Sequence, residues 1–562
     1  MTDARRHPLL IAAILAGVAC LALAAVPTAS YAGAFAHPAR IEKLGGAIPE
    51  ATVRGAEFFR FALAVAGVLI PALAWRLVTM CEFSARPARR AMPNTRAQWM
   101  WLLVVCAAGA LLRVILASQS LWYDEISAFL SFAIEGPGVA FGSYAVPTNH
   151  VPMTLAVWLA WTLTDSTAEL VLRAPALIAG IAAIPVAYAL AGTLFGRRAA
   201  IAGAAVMAVA PIAVIESAEA RGYSFVILGA MVAALALARA ERTRAAGDYA
   251  LFAVACAFAA WSHPVAILLP ISAGILGLVR DRRLAVACVL AGVIAAVLLS
   301  PLAGDVLATR ADYAHTRAGQ PTVFSIEGYE GVLGLALSWS GSLRGMWWLP
   351  NIWLWLLFAA GLTRILRVKA VVGDISPALL ARAGRVMLPF AVAFALAFVL
   401  SMAMGTWIYA RFLLFALPIG VVVIVVGMRL PSSPAGLLLV LLIGAAHGLA
   451  GYTSKQPIRD AVELVARARA ADDAVATIGL PDNAVGFYAQ MYGFEAKPTG
   501  FLGEGLGRVI ESDHPKFVIV LYPERLDRLT MATLDDAYDR TRRLEGWADW
   551  GHGAVEIWQR TR

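Results

Sequence analysis

The feature that most constrains this chain is a succession of long apolar runs with almost no charged residue inside them. Residues 8–27, 57–76, 98–117 and 170–192 form the first four runs, and a helix of about 20 residues is long enough to cross a bilayer. Hydrophobic residues make up 60% of the 562 residues, charged residues 15%, and the mean hydropathy is +0.73. Soluble domains are nearer ~45–50% apolar and ~25% charged. A water-soluble protein is excluded, and the sequence predicts an all-α polytopic membrane protein.

Basic residues in the short loops predict the topology. Arg5 and Arg6 precede the first run, and Arg76 follows the second, which places these loops on the cytoplasmic side. The small residues at 29–34 also fit a signal-peptidase site, and either alternative leaves residue 35 outside. Nine further spans follow, for about thirteen in all: 199–215, 222–240, 248–262, 264–279, 284–303, 347–363, 386–404, 411–428 and 434–452.

Three regions are expected. Residues 1–97 hold an extra N-terminal pair of spans, and residues 98–452 form the main membrane region, with outer loops at about 118–169 and 304–346. The run 151–164 has only 14 residues, which favours a helix lying in the membrane interface. Residues 453–562 carry 14 Lys/Arg and 17 Asp/Glu and predict a small soluble α/β domain on the outer side.

Within that last region, the apolar, β-branched runs 474–478 and 517–522 predict strands, and 458–470 predicts a helix. The domain shows no recognisable catalytic spacing, and its role is taken to be accessory.

Charge and cysteine content exclude other classes. The net charge is +9, but because basic residues occupy short loops between spans, no nucleic-acid partner is expected. All five cysteines lie in or beside apolar segments, so no disulfide framework is expected. No zinc-ligand spacing is present.

Two adjacent carboxylates open the first long outer loop. Asp124 and Glu125 follow Trp122 and Tyr123, and on a helix their side chains diverge by about 100°, so that one can face a cavity while the other is held by hydrogen bonds. The alternative is structural: acids stabilise a helix N-terminus and aromatic residues anchor at the membrane interface.

Because successive spans cross the membrane in alternating directions, counting them predicts that several basic and imidazole side chains lie on the same side as Asp124 and Glu125. Arg221, in a cluster with Glu216 and Glu219, can bind a phosphate through two hydrogen bonds or can pair with those acids. Arg411 also runs against the positive-inside trend. His150 and His263 are candidates that more often cap or pack. The remaining outer-side candidates are Arg173, Tyr313 and His315, the last two in a loop that is equally explained as solvated.

Several of these segments together resemble one family. They are Trp122-Tyr123-Asp124-Glu125, His150-Val151-Pro152, Leu172-Arg173-Ala174-Pro175, Leu194-Phe195-Gly196-Arg197-Arg198, Glu219-Ala220-Arg221-Gly222-Tyr223-Ser224 and Arg411-Phe412-Leu413. In order and spacing they resemble bacterial GT-C-fold glycosyltransferases related to protein O-mannosyltransferases and to the lipid A aminoarabinose transferase. The likeness is best at 118–240 and looser to 430. Relatives often have His-Pro-Pro or Lys-Pro where this chain has His150-Val151-Pro152.

The resemblance implies transfer of a sugar from a polyprenyl-phosphate carrier to an acceptor on the outer face of the cytoplasmic membrane. Asp124 then matches the aspartate near the reaction centre, and we expect it to act as the general base of an inverting transfer. Glu125 matches the second acid of the motif, and Arg221, Tyr223 and Arg411 match the surroundings of the lipid phosphate, where we also place His263. His150, Arg173, Tyr123, Tyr313 and His315 are candidates for the acceptor side. No cofactor is expected. The paired acids could instead hold a divalent metal, as in some members of the wider fold.

The acceptor stays open between a glycolipid, a polysaccharide and a protein. A transporter or lipid flippase is the alternative function, since it would also be polytopic and could bind an anionic lipid with the same arginines. Such proteins place ionisable groups near mid-membrane, whereas here they cluster at one face.

Overall fold

The protein is described by a computed structural model. The described residues are 8–82, 95–146, 148–316, 358–364, 376–404, 410–428, 454–480, 483–548 and 553–560.

The N-terminal part is helical throughout. Its helices are α1 Pro8–Ala24, α2 Thr28–Phe35, α3 Pro38–Lys43, α4 Glu50–Glu82, α5 Arg96–Ala117, α6 Tyr123–Ala128, α7 Pro137–Gly142, α8 Val151–Thr164, α9 Glu169–Phe195, α10 Arg197–Val209, α11 Pro211–Ser217, α12 Tyr223–Thr243, α13 Ala246–Ser262, α14 Leu268–Arg280, α15 Arg282–Leu299, α16 Ala303–Thr316, α17 Pro377–Met404 and α18 Leu417–Gly427. Short 3₁₀ helices at Pro264–Ile267, Ser300–Leu302 and Ala410–Ala416 precede α14, α16 and α18, and a π-turn at Phe129–Ala133 follows α6.

The chain is a multi-pass membrane protein. In the described part, six helices are long and apolar enough to cross a bilayer, or up to eight if each bent helix pair is counted as one span. The predicted run 434–452 and most of 347–363 lie outside the described residues, so the number thirteen stays a prediction. Helix α8 has the bounds expected from the sequence and is one of the shorter apolar helices.

One predicted span is broken. Helices α10 and α11 meet at an angle of 57° at Pro211, whose ring nitrogen cannot donate the next helical hydrogen bond. The buried side chain of Arg113 in α5 donates to two carbonyls at the end of α10, Met207 O at 3.0 Å and Ala208 O at 2.9 Å. These bonds satisfy backbone groups that the break would otherwise leave unpaired.

The extra N-terminal helices pack against the loop that follows α5. The Phe35 and Phe59 rings lie 5.9 and 5.6 Å from the ring of Phe141 in α7. The buried Asp305 carboxylate accepts hydrogen bonds from Arg40 Nη1 at 2.7 Å and from the Tyr144 backbone N–H at 2.8 Å. Residues that had no predicted role therefore support the loop that leads to His150.

Residues 454–560 contain a five-stranded sheet. Its elements are helix α19 Ile458–Ala468, strand β1 Val475–Gly479, α20 Ala484–Met491, β2 Ala496–Phe501, α21 Leu506–Asp513, β3 Phe517–Leu521, α22 Arg528–Ala537, β4 Tyr538–Leu544 and β5 Val555–Arg560. The order is β2-β1-β3-β5-β4, with β1 parallel to β2 and β3 and with β5 antiparallel to β3 and β4. Strands β1 and β3 are buried throughout, as expected for apolar runs in a covered sheet.

This C-terminal unit shares a hydrophobic core with the loop that follows α5 and with α8. Buried side chains of α6 and α8 belong to the same cluster as those of α19, β1 and α20. The rings of Phe129 and Phe487 lie 5.9 Å apart, and those of Tyr123 and Tyr522 6.1 Å apart. The unit therefore packs directly on the segment that carries the acid pair.

Candidate active site

Charged residues gather at one end of the helical bundle, where α5 ends and α12 begins. Side-chain contacts bring together α6, the 218–222 turn, the residue after α13 and the start of the C-terminal unit. Helix ends place polar side chains next to water while the spans remain apolar. All of the sequence-predicted acids and arginines that the structure describes fall at this end.

Glu125 and Arg173 form a buried ion pair. Arg173 Nε and Nη2 donate to the two carboxylate oxygens at 2.8 and 2.5 Å. The Glu125 side chain is 0% exposed and the Arg173 side chain 4%. The same carboxylate accepts the backbone N–H groups of Trp122 at 3.1 Å and Ala220 at 2.5 Å. Both oxygens are thus engaged, which favours a role for Glu125 in holding the loops together. Arg173, predicted as an acceptor-side candidate, lies in α9 behind this carboxylate.

Asp124 is more exposed than Glu125, its neighbour in the acid pair. Its side chain is 21% exposed, and its Oδ2 is 3.4 Å from Arg221 Nη2. Arg221 is held by a bond from Nη1 to the Thr148 carbonyl at 3.0 Å. The 3.4 Å between Asp124 and Arg221 is longer than the ~2.7–2.9 Å of a strong charged hydrogen bond. Asp124 therefore combines access to solvent with a loose contact to a cation.

A second buried ion pair joins Glu219 to Lys455. Lys455 Nζ lies 2.8 and 2.7 Å from the two Glu219 oxygens, and the side chains are 5% and 2% exposed. Glu219 also accepts from the Trp122 indole N–H at 3.2 Å. The lysine comes from the C-terminal unit, and sequence analysis did not select it.

Three cations surround the Trp122 ring. Lys455 Nζ is 3.7 Å from the ring centroid, and the guanidinium carbons of Arg411 and Arg221 are 5.6 and 6.0 Å away. Both guanidinium carbons are also 5.9 Å from the Tyr223 ring. These distances lie within the range of cation–π attraction, so the aromatic rings help to hold the arginines side by side. Two adjacent guanidinium groups can bind an anion such as a phosphate.

Two histidines line the same region. His150 Nδ1 lies 2.9 Å from the Ser262 carbonyl, and the His263 ring lies 4.6 Å from the Phe412 ring and 5.6 Å from that of His150. Burial, together with Arg221, lowers the pKa of His150 well below its usual value, and burial with the neighbouring arginines lowers the pKa of His263 to about 3. Both imidazoles are therefore neutral at pH 7.

The other predicted residues are less closely involved. Tyr123 is buried, and its ring packs in the core shared with the C-terminal unit. The side chains of Tyr313 and His315 lie outside what the structure describes, although both residues belong to α16. Within the described residues, no three His, Cys, Asp or Glu side chains gather as metal ligands.

Sequence analysis did not select Lys455, Gln456 or Tyr488, which contact the acid-pair segment from the C-terminal unit. Their partners are more than 200 positions away in the chain, so no local pattern indicates them.

Helical spans and a charged site at one end define a polytopic membrane protein with an anion-binding potential. Residues 149–304 match the family model for dolichyl-phosphate-mannose-protein mannosyltransferase. The matched segment includes His150, Arg173, Arg221, Tyr223 and His263, while Asp124 precedes it. The resemblance to the protein O-mannosyltransferases that the motifs indicated is confirmed over this segment.

Solved structures give weaker likenesses. ArnT from Cupriavidus metallidurans bound to undecaprenyl phosphate is 12% identical, with 82% of this chain and 97% of that chain covered and a TM-score of 0.47. The Archaeoglobus fulgidus oligosaccharyltransferase is 13% identical, with 75% and 68% covered and a TM-score of 0.43. The arabinosyltransferase EmbB from Mycobacterium smegmatis is 16% identical, with 77% and 40% covered and a TM-score of 0.42. Scores this low carry no residue-level correspondence. No curated protein matches the chain by sequence.

Proposed function

We propose that this protein is an inverting glycosyltransferase that moves a sugar from a polyprenyl-phosphate-linked donor to an acceptor on the outer face of the cytoplasmic membrane. The observation that carries the proposal is the position of Asp124, a partly exposed carboxylate 3.4 Å from Arg221 at the end of the bundle. A donor phosphate lies in the headgroup layer, so its leaving group would meet the protein at a bundle end and not at mid-membrane.

The chemistry assigned to Asp124 is that of a general base. Its carboxylate accepts the proton of an acceptor hydroxyl as the hydroxyl oxygen attacks the anomeric carbon from the face opposite the phosphate. The bond between the anomeric carbon and the phosphate oxygen breaks, and the electron pair leaves with the phosphate. Arg221 and Arg411 offset the charge that grows on the departing oxygen. One displacement step inverts the anomeric configuration.

The surroundings of Asp124 support this division of roles. Glu125 and Glu219 are each bound to a basic side chain in a buried pair, whereas Asp124 is partly exposed and lies 3.4 Å from its basic neighbour. In the neutral state His263 can donate one hydrogen bond to a phosphate oxygen without adding charge, whereas the single N–H of neutral His150 is donated from Nδ1 to the Ser262 carbonyl. Glycolipid, polysaccharide and protein hydroxyls are all acceptors that this chemistry can use.

A transporter or flippase is the competing function, and the positions of the charges argue against it. Arg113 is a charged residue buried within a span, but its guanidinium is bonded to backbone carbonyls at the α10 break. It therefore has a structural explanation and does not mark a path through the membrane.

The test is mass spectrometry of envelope glycolipids and glycoproteins from cells that lack the gene and are complemented with wild type or Asp124→Asn. We expect one sugar to be missing from one acceptor in the deletion strain and to return with wild type alone. Asp165→Asn is the matched control, because Asp165 is exposed and has a φ of 50°, a conformation that asparagine tolerates. If Asp124→Asn restores the sugar as well as wild type does, Asp124 is not the base. If no glycan changes in the deletion strain, the transferase assignment itself is refuted.

A further inference from the structure

Side chains from the C-terminal unit bond to the backbone that leads into α6. The Leu121 N–H donates to the Tyr488 hydroxyl at 2.7 Å, and the Tyr123 N–H donates to Gln456 Oε1 at 3.0 Å. The N–H between them, that of Trp122, donates to Glu125 Oε2 at 3.1 Å. Three successive N–H groups before Asp124 are thus satisfied by side chains, two of them from the C-terminal unit.

These bonds hold the segment that enters α6. The first N–H groups of a helix have no partner within it, and a Ser, Thr, Asp or Asn at the position before the helix usually accepts one of them. Here that position is Trp122, which has no acceptor oxygen. The N–H of Tyr123, the first residue of α6, donates to Gln456 instead, and Asp124 is the second residue of the helix.

The Tyr488 hydroxyl is itself fixed from a second side. It donates to Glu169 Oε1 at 3.0 Å while it accepts from Leu121. Burial and the neighbouring Glu169 raise the pKa of Tyr488 above its usual value, so the phenol keeps its proton and the donor role is retained. Arg459 Nη1 adds a bond to the same glutamate oxygen at 2.8 Å. The contact ties α20 to the start of α9 as well as to the segment before α6.

Lys455 neutralises the buried carboxylate of Glu219. Its ammonium is paired with both oxygens of the buried Glu219 and lies over the Trp122 ring. Without it, Glu219 would be a buried carboxylate without its partner, which is costly. The lysine therefore keeps an uncompensated negative charge away from the Trp122 ring, around which Arg221 and Arg411 also lie.

We propose that the C-terminal unit is a required positioning element of the active site, in which Tyr488 and Gln456 fix the start of α6, and so the direction of Asp124, while Lys455 neutralises Glu219. Naming Asp124 as the group positioned rests on the proposed function. The bonds from Tyr488 and Gln456 stand independently of it.

The experiment compares Tyr488→Phe with Tyr538→Phe in the full-length protein in nanodiscs. Tyr538 is the matched control because it lies in the same unit, is buried, and its hydroxyl donates to the Pro515 carbonyl, away from the site. Amide hydrogen exchange of a peptide covering residues 119–126 is read first. We expect exchange about tenfold faster in Tyr488→Phe and unchanged in Tyr538→Phe. Gln456→Leu removes the other acceptor and should act in the same direction.

Sugar transfer is read next, with the donor and acceptor that the deletion strain identifies. Tyr488→Phe should lower kcat about tenfold at an unchanged KM for the donor, whereas Lys455→Met should raise that KM and Lys455→Arg should largely restore it. The proposal is overturned if exchange at 119–126 is the same in both tyrosine variants, or if kcat falls equally in both. If wild type transfers no sugar, the proposed function fails, and the exchange data alone decide whether the unit fixes α6.

Discussion

Replacing Arg173 by methionine should destabilise the protein strongly although Arg173 is not assigned to the chemistry. Methionine fills a similar volume but leaves Glu125, which is 0% exposed, without its cation. It also removes donors to three carbonyls, those of Ala117 at 3.0 Å, Gln119 at 2.5 Å and Ser120 at 3.0 Å. Breaking one side of a buried ion pair costs about 3–5 kcal/mol. We expect a loss of this size, because the unpaired carboxylate dominates it.

The assay is thermal unfolding of detergent-solubilised protein followed by fluorescence-detected size exclusion. Glu125→Gln combined with Arg173→Met removes the unpaired charge, so the double variant should recover about 1–3 kcal/mol relative to Arg173→Met alone. Arg467→Met, which removes a surface pair with Glu463, should be nearly neutral. The reasoning would be refuted if Arg173→Met had the same melting temperature as the Arg467→Met control, or if the double variant were no more stable than Arg173→Met.

Two further predictions concern the histidine region. The pKa values of His150 and His263 are lowered in the folded state. The unfolded state therefore takes up protons first as the pH falls below ~6.5, and the free energy of unfolding should decrease from there. Between pH 8 and 4.5 the melting temperature of His263→Gln should fall less steeply than that of wild type, and equal slopes would contradict this. Gly222→Ala should cost about 1–3 kcal/mol, since a Cβ there would lie 2.7 Å from the Ser262 carbonyl oxygen and 2.8 Å from His150. Gly247→Ala, which meets open space, is the control for the same melting measurement, and similar losses in both would show that the close approach is unimportant.

The helical part was largely predictable from sequence because a membrane allows few solutions. Every backbone polar group in the hydrocarbon must be bonded internally, so an apolar run of sufficient length becomes a helix. The run predicted at 98–117 is observed as Arg96–Ala117, and the short run at 151–164 as Val151–Thr164. The strand expected at 517–522 is observed as Phe517–Leu521, since a short apolar, β-branched run within a charged region predicts a buried strand. The bend at Pro211 was not predicted, because prolines also lie inside helices of this chain that continue through them, as Pro71, Pro175 and Pro185 do, and no local pattern separates Pro211 from these.

The site was predictable in its members but not in its pairing. Sequence and parity placed Asp124, Glu125, Arg173 and Arg221 on one side. They could not show that Glu125 takes Arg173 while Asp124 faces Arg221, because adjacent residues on a helix point in directions that only the surrounding helices decide. Lys455 lies 236 positions from Glu219, and a single lysine in a charged region carries no local signal.

The lengths of the charged contacts divide the site into fixed and reacting groups. Arg173 and Lys455 hold their carboxylates at 2.5–2.8 Å, and both pairs are almost fully buried. Arg221 lies 3.4 Å from Asp124 and is anchored by a backbone carbonyl, so it can turn toward a phosphate without leaving its place. On the proposed mechanism, a bound donor then draws Arg221 away from Asp124 and leaves a carboxylate oxygen open to the acceptor hydroxyl. The two tight pairs keep the loops still during this exchange, which explains why the site contains more ionised groups than the reaction itself uses.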